Sequence, residues 1–370
     1  MSEYQYHEWQ TVDRVLTPEE QDVVNGLSSH IEVSSSRAVV TYHWSGFRHD
    51  PKQVLLQYFD GYFYLANWGS LRLMFRFPKG LLAEADVKPY RTDEHILFET
   101  AGRYQVLDLD FNPEEGEGWI EAEAGLSLFI QLRADLLDGD FRLLYLARLK
   151  AATLRAAIDE ADDREPPVPP GLKKLSPPLR NFVQVFEIDP FLVQAAAEAS
   201  PDPKRMPALD YREMVGRLSP DERADFLVRL AEGDPGARLA LRKRLSAFLP
   251  PERPAAAKPR TLQQLLRRAR QLEQAEQKRR AEEARQKHVA EMKALATREA
   301  QTWKQVDDLL AKGRKTASVY DEATRMLDKL RQLSEFEGRP ADFKARLRPL
   351  AAKYASRPAL IERWKRRGWV

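Results

Sequence analysis

The chain has 370 residues, too many for one ordinary core, and its 43% hydrophobic content is enough to bury more than one. It has no cysteine, which excludes disulfides, thiolate zinc sites, iron–sulfur ligation and cysteine nucleophiles together. The formal net charge of +3 conceals an asymmetry: residues 1–150 carry 14 Lys/Arg against 24 Asp/Glu, residues 151–260 carry 18 against 17, and residues 261–370 carry 27 against 15.

In chain order, Tyr4 to Val12 reads as a first strand. Thr17-Pro18-Glu19-Glu20 then starts a helix to about Ser28, with threonine as cap, proline at the first helical position and Glu20 reaching back. Arg37 to Trp44 reads as a strand, and Asp50-Pro51 opens a helix to about Tyr58. Tyr62 to Ala66 and Leu71 to Phe77 form a hairpin around Asn67-Trp68-Gly69-Ser70. Its second strand places Leu71, Leu73, Phe75 and Phe77 on one face and Arg72 and Arg76 on the other. Two further strands, Ile96 to Thr100 and Arg103 to Phe111, meet at Ala101-Gly102.

Ile120 to Leu132 alternates with period two, Phe129 being the large exception, and reads as the last strand of a sheet covered on one side. A helix from about Phe141 to Ile158 closes the domain. The proline-rich run from Glu165 to Gly171 reads as a stiff linker, and Pro250 to Pro259 as a second break. Between them lie short helices opened at Ser176-Pro177-Pro178 and at Ser219-Pro220-Asp221-Glu222, with a turn at Asp234-Pro235-Gly236. Thr261 opens a long helix expected to reach Lys312 before Gly313, with few apolar positions in its centre. Shorter helices follow, one capped by Ser318, one after Gly338-Arg339-Pro340 and one after Ser356-Arg357-Pro358. The pair over 318–354 resembles a tetratricopeptide-like hairpin.

The expected architecture is α+β: an antiparallel or mixed sheet packed by helices, then an all-α half with a long helix and a helical hairpin. The expected divisions are an acidic, aromatic-rich domain over 1–163, a linker over 164–175, a small helical domain over 176–249 and a linker over 250–260. A long polar helix over 261–312 and a basic tail over 313–370 complete the chain.

No histidine pair has metalloprotease spacing, no glycine-rich run has the form of a phosphate loop, and no Gly-x-Ser-x-Gly elbow occurs. The sequence calls for no cofactor. Tyr42, His43, Trp44, Tyr64, Asn67, Trp68, Arg72 and Arg76 are the candidates for a recognition groove, with ordinary packing as the alternative. Asp108 and Asp110 share one side of a strand and are weak candidates for an oxygen-ligated metal, hence for a metal-dependent hydrolase. Arg363, Lys365, Arg366 and Arg367 surround Trp364, and Arg267, Arg268, Arg270, Lys278, Arg279 and Arg280 punctuate the long helix. Cations with an aromatic for stacking suit nucleic acid.

Tyr42-His43-Trp44, Tyr58-Phe59-Asp60, Tyr64 through Gly69 and Leu71-Arg72-Leu73 resemble the front half of an uncharacterised family of bacterial hypothetical proteins. Tyr320-Asp321-Glu322-Ala323 through Arg357-Pro358-Ala359-Leu360-Ile361-Glu362-Arg363 resembles that family's tail, which is similar to the tail of bacterial SWIM-type zinc-finger proteins. The zinc module is absent with its cysteines. The resemblance implies a bacterial, cytosolic protein and brings no activity or catalytic residue with it.

The expectation is a non-enzymatic cytoplasmic interaction or scaffold protein that binds a protein partner through head and tail. Nucleic-acid binding by the basic third is the alternative, and the hydrolase is a third reading. No secretory leader or bilayer span is expected, and pairing of the long helix would give a homo-oligomer.

Overall fold

The structure, a computed structural model, describes residues 3–112, 124–155, 164–202, 211–234, 236–248, 260–312 and 316–370. It divides into two compact units, Met1–Glu273 and Gln274–Val370.

The first unit is built on a seven-stranded antiparallel sheet. Its strands are β1 (Gln5–Gln10), β2 (Ile31–Val33), β3 (Arg37–Tyr42), β4 (Gly61–Ala66), β5 (Leu71–Pro78), β6 (Ile96–Ala101) and β7 (Tyr104–Phe111), in the spatial order β2-β3-β1-β4-β5-β7-β6. Strand β2, too short for an alternation to show, is an addition to the sequence reading. The β4–β5 turn closes with the Ala66 N–H on the Ser70 carbonyl at 2.9 Å and holds Gly69 at φ 101°, a conformation that glycine adopts without strain.

Helices α1 (Pro18–Asn25) and α2 (Pro51–Tyr58) cover one face of this sheet. The predicted capping box is present in α1: Thr17 accepts from the Glu20 N–H, and Glu20 accepts from the Thr17 N–H. Val24, Val54 and Leu55 pack there on Trp9, Val40, Tyr62, Met74 and Val106. The other face carries Phe63, Leu71, Leu73, Phe75, Phe77, Leu107 and Phe111, the side expected for the odd positions of β5. It is covered by helices, most of which follow the sheet in sequence. The short α3 (Glu84–Val87) precedes β6; α4 (Gln131–Leu137), α5 (Arg142–Arg155), α6 (Pro177–Val185) and α7 (Pro190–Ala197) come after β7.

Two expectations fail here. Residues 120–123 lie outside the described residues; of the rest, Leu126–Leu128 is a 3-10 turn and helix α4 follows, so 124–132 is no strand. Leu126, Phe129, Leu132 and Leu136 are all buried, a spacing of three and four that belongs to a helix, and Phe129 is its marker. Glu8, buried on β1, fixes the turn by accepting from the Leu126 N–H at 2.6 Å, while Arg37, Tyr6 and Gln10 satisfy its remaining lone pairs.

The segment 164–175 is no free linker either. Glu165 is buried, held by the Tyr145 hydroxyl and by Arg260 through two contacts of 2.7 Å, and Arg164 bridges Thr261. Leu172 N–H bonds Ser200 Oγ at 3.0 Å, and Leu172, Leu179 and Phe182 belong to the same core as the sheet. Proline fixes the backbone direction without preventing burial, so helices α6 and α7 share the core expected for 1–163 alone.

Three helices complete this unit: α8 (Tyr211–Arg217), α9 (Pro220–Ala231) and α10 (Ala237–Ser246), joined around Met214, Leu218 and Leu245. The Ser219–Glu222 capping box of α9 is as expected. Helix α11 (Leu262–Ala296) starts with Leu265 and Ala269 in the first core.

The long helix does not reach Lys312. It ends at Ala296, and α12 (Glu299–Lys312) begins after Thr297 and Arg298. Thr297 bonds its hydroxyl to the Ala294 carbonyl at 2.9 Å, the local side-chain competition that disturbs helices. Gly313 lies outside the described residues. In the second unit α12 packs with α13 (Ala317–Phe336), α14 (Pro340–Lys353) and α15 (Pro358–Lys365) around Val306, Leu310, Leu327, Leu330, Phe343, Leu347 and Trp364. Helix α13 begins at Ala317, with Thr316 in the cap position expected for Ser318. Among the described residues no helix is long and apolar enough to cross a membrane.

Candidate functional site

The eight candidate groove residues separate into three groups. Tyr42, Asn67 and Arg76 are enclosed and structural. The Tyr42 hydroxyl bonds Ser28 Oγ at 2.8 Å, and Asn67 Oδ1 accepts from the Tyr4 N–H at 3.0 Å, joining the ends of β1 and β4. Arg76 donates to Asp60 Oδ1 at 2.8 Å and to the Leu56 carbonyl at 2.8 Å, with its guanidinium over the Tyr104 ring. Asp60 also accepts the N–H groups of Val12 and Asp13, and Asp13 is clamped by Arg133 at 2.6 and 3.0 Å. This network is a buried junction of the fold, so Arg76 is corrected from groove residue to internal tie.

Tyr64 and Arg72 are half-buried on one sheet face, opposite each other in register. Arg72 forks onto Asp108 at 2.9 and 2.6 Å and reaches Asp110 at 3.4 Å. Asp108 and Asp110 do share a face, and Arg72 joins them. Among the described residues no group of three or more potential ligands gathers around an ion site. Burial raises the Asp110 pKa above the ordinary aspartate value; Arg72 draws it down and Asp108 pushes it up, and the net is upward. Trp68 is half-buried on the β4–β5 turn.

His43 and Trp44 remain. Both are exposed on the loop between β3 and α2, and Trp44 presents 79% of its surface to solvent. The loop is nonetheless anchored. Gln5 Nε2 donates to the Ser45 carbonyl at 3.0 Å, Phe47 packs on the Trp9 and His7 rings at 5.1 and 5.6 Å, and Asp50 caps α2 through the Lys52 N–H at 2.8 Å. His43 leans on the Tyr4 ring at 5.7 Å. An indole held outward by a pinned loop costs little further ordering when it binds.

His7 stands in no recognisable sequence motif. It is buried among Trp9, Tyr42, Phe47, Tyr62 and Tyr64, with Nδ1 2.9 Å from the Tyr62 hydroxyl and Nε2 enclosed without a hydrogen-bond partner. Burial pushes its pKa down to about 4, so the ring is neutral. Its position two residues before Trp9 on β1 was the available signal.

At the C-terminus Trp364 is wholly buried in the core of the second unit, its indole N–H on Thr324 Oγ1 at 3.3 Å. It is unavailable for stacking on a base, which corrects that candidate. Arg363 pairs with Asp321 at 2.8 Å and Arg366 with Glu362 at 3.2 Å, while Lys365 and Arg367 lie exposed. A pocket of about 360 Å³ adjoins them, lined by Arg331, Phe343, Lys344, Arg367 and Trp369.

Comparison with family models, with curated proteins and with solved structures finds no match to this chain.

Proposed function

We propose that this is a non-enzymatic cytoplasmic interaction or scaffold protein that engages a protein partner through the α/β head, with the helical tail as a second surface. The observation that carries the reading is Trp44, an indole 79% exposed on a loop whose neighbours are fixed to the sheet. A large aromatic that leaves the fold's own core unserved is the residue type that dominates binding energy at protein interfaces. His43, Arg48 and His49 are exposed on the same loop and supply a polar rim, with Arg48 as its cation. In the tail, the pocket beside Phe343 and Trp369 supplies an aromatic floor with Lys344 and Arg367 at its edge.

The test is a photo-crosslinking amino acid at position 44, with position 22 on helix α1 as control. A defined protein adduct from 44 alone, lost in a Phe47→Ala background that frees the loop, is the expected result. Equal labelling from both positions would overturn the assignment of this loop as the contact.

A further inference from the structure

Helix α9 buries none of its residues. Ala224, Leu227, Val228 and Ala231 recur at i, i+3, i+4 and i+7, the spacing of one helix face, and all four are exposed, Leu227 by 67% and Val228 by 53%. The opposite side anchors the helix. Phe226 packs on the small core of α8 and α10, and Glu222 accepts from Arg244 at 2.8 Å. Helical spacing sets Asp221, Asp225 and Glu232 together along one edge of the apolar stripe, all exposed. The result is an apolar ridge with an acidic border.

A second surface of the same unit has the opposite character. Around the start of α6 and along α7 lies an open groove of about 600 Å³, floored by Leu172, Leu175, Val193 and Ala197. Its rim carries Lys173, Lys174 and Arg180. The rim carboxylate Glu198 is already held by Arg268 at 2.6 Å, and among the described residues Lys173 is tied to the exposed Asp202 at 3.2 Å. Exposed pairs of that kind contribute little and exchange readily.

We propose that the occupant of this groove is helix α9 of a second copy of the chain. The apolar stripe meets the apolar floor, and Asp221, Asp225 and Glu232 meet Lys173, Lys174 and Arg180. Within one chain the stripe stays open, as the exposure of Leu227 and Val228 records, so the match is satisfied between molecules. Reciprocal docking closes a two-fold dimer with two equivalent contacts. Charge complementarity of this kind sets register and association rate while the apolar stripe supplies most of the affinity. The proposal is independent of the Trp44 reading, since no residue is common to the two surfaces.

Sedimentation velocity on the full chain tests it, with helical content followed by circular dichroism. The expected result is a concentration-dependent dimer that weakens with added salt. Leu227→Glu with Val228→Glu, and separately Lys173→Glu with Lys174→Glu, each weaken it by about tenfold or more at unchanged helical content. Asp221→Lys with Asp225→Lys also weakens it, and combining that pair with the Lys173→Glu, Lys174→Glu pair restores association. A wild-type chain that stays monomeric, or a dimer indifferent to the α9 and groove changes, overturns the proposal. So does a monomer whose groove binds only a foreign acidic helical peptide.

Discussion

Arg76 and Asp60 meet at 2.8 Å, almost wholly enclosed, where strand β5 passes the end of helix α2. Each is satisfied on its other side, Arg76 by the Leu56 carbonyl and Asp60 by two backbone N–H groups of residues 12 and 13. Burial by itself would raise the Asp60 pKa, but Arg133, Arg76 and those N–H groups outweigh it and hold it below the ordinary aspartate value.

Removing one member leaves the other charge buried without its counterpart. Asp60→Asn or Arg76→Ala is therefore expected to cost about 3–5 kcal/mol of stability, read by urea denaturation. The pH dependence has a definite sign. A depressed carboxylate pKa contributes stability above the unfolded aspartate value, and that stability is lost as pH falls through the folded value. Asp60→Asn should lose less stability on acidification than the wild type does.

His7 acts at higher pH. Its pKa of about 4 in the fold lies below the ordinary histidine value, so the unfolded chain takes up a proton that the folded chain refuses. Its contribution is complete above the unfolded value and is lost as pH falls toward 4, about 3 kcal/mol across that window. His7→Phe, which keeps a ring among Trp9, Phe47 and Tyr64, should flatten this part of the stability profile. Parallel profiles for the two proteins between pH 7 and pH 4 would count against it.

Trp364 gives a third expectation. As a fully buried indole in the second unit it should cost about 3–5 kcal/mol when cut to alanine. Lys365→Glu with Arg367→Glu, both exposed, should leave the melting temperature nearly unchanged. If nucleic acid binds to this tail, the double charge reversal should remove it and flatten its salt dependence. Fluorescence anisotropy with a labelled single strand reads both.

The carboxylate pair is the fourth. With Arg72 already bridging Asp108 and Asp110, added Mg²⁺ or Ca²⁺ should leave the melting curve in place. Arg72→Met should lift the Asp110 pKa further, because the one attraction that lowers it most is gone while burial and Asp108 remain. Carboxyl carbon NMR titration measures the change directly.

What was legible in the sequence was local. Thr17 with Glu20, Ser219 with Glu222 and the alternation from Leu71 to Phe77 each involve neighbours a few positions apart, and each is realised. What was not legible depends on distant partners. Alternation showed that Arg72 and Arg76 share a face, but not that Asp108 and Asp60 wait there. Composition made Glu165 part of a linker, whereas Arg260, 95 positions later, draws it into the core. The segment through Phe129 was read with the wrong period because small residues at Ala122 and Ala124 imitate a strand pattern. Among the groove candidates only the exposure of Trp44 and His43 could separate recognition from packing, and exposure is a property of the folded surface.

The Glu8 carboxylate, bonded to the Leu126 N–H, ties a strand from the start of the chain to a turn 118 positions later. Strand β1 lies inside the sheet, and the helices that cover the face behind it run on to Ala197. A chain emerging from a ribosome must therefore keep part of that apolar face waiting until more than half of its length has been made. Loop closure over such separations is slow, so release of a truncated product ending near residue 163 would leave Phe63 and Phe111 without Phe186 and that part of the face open to aggregation.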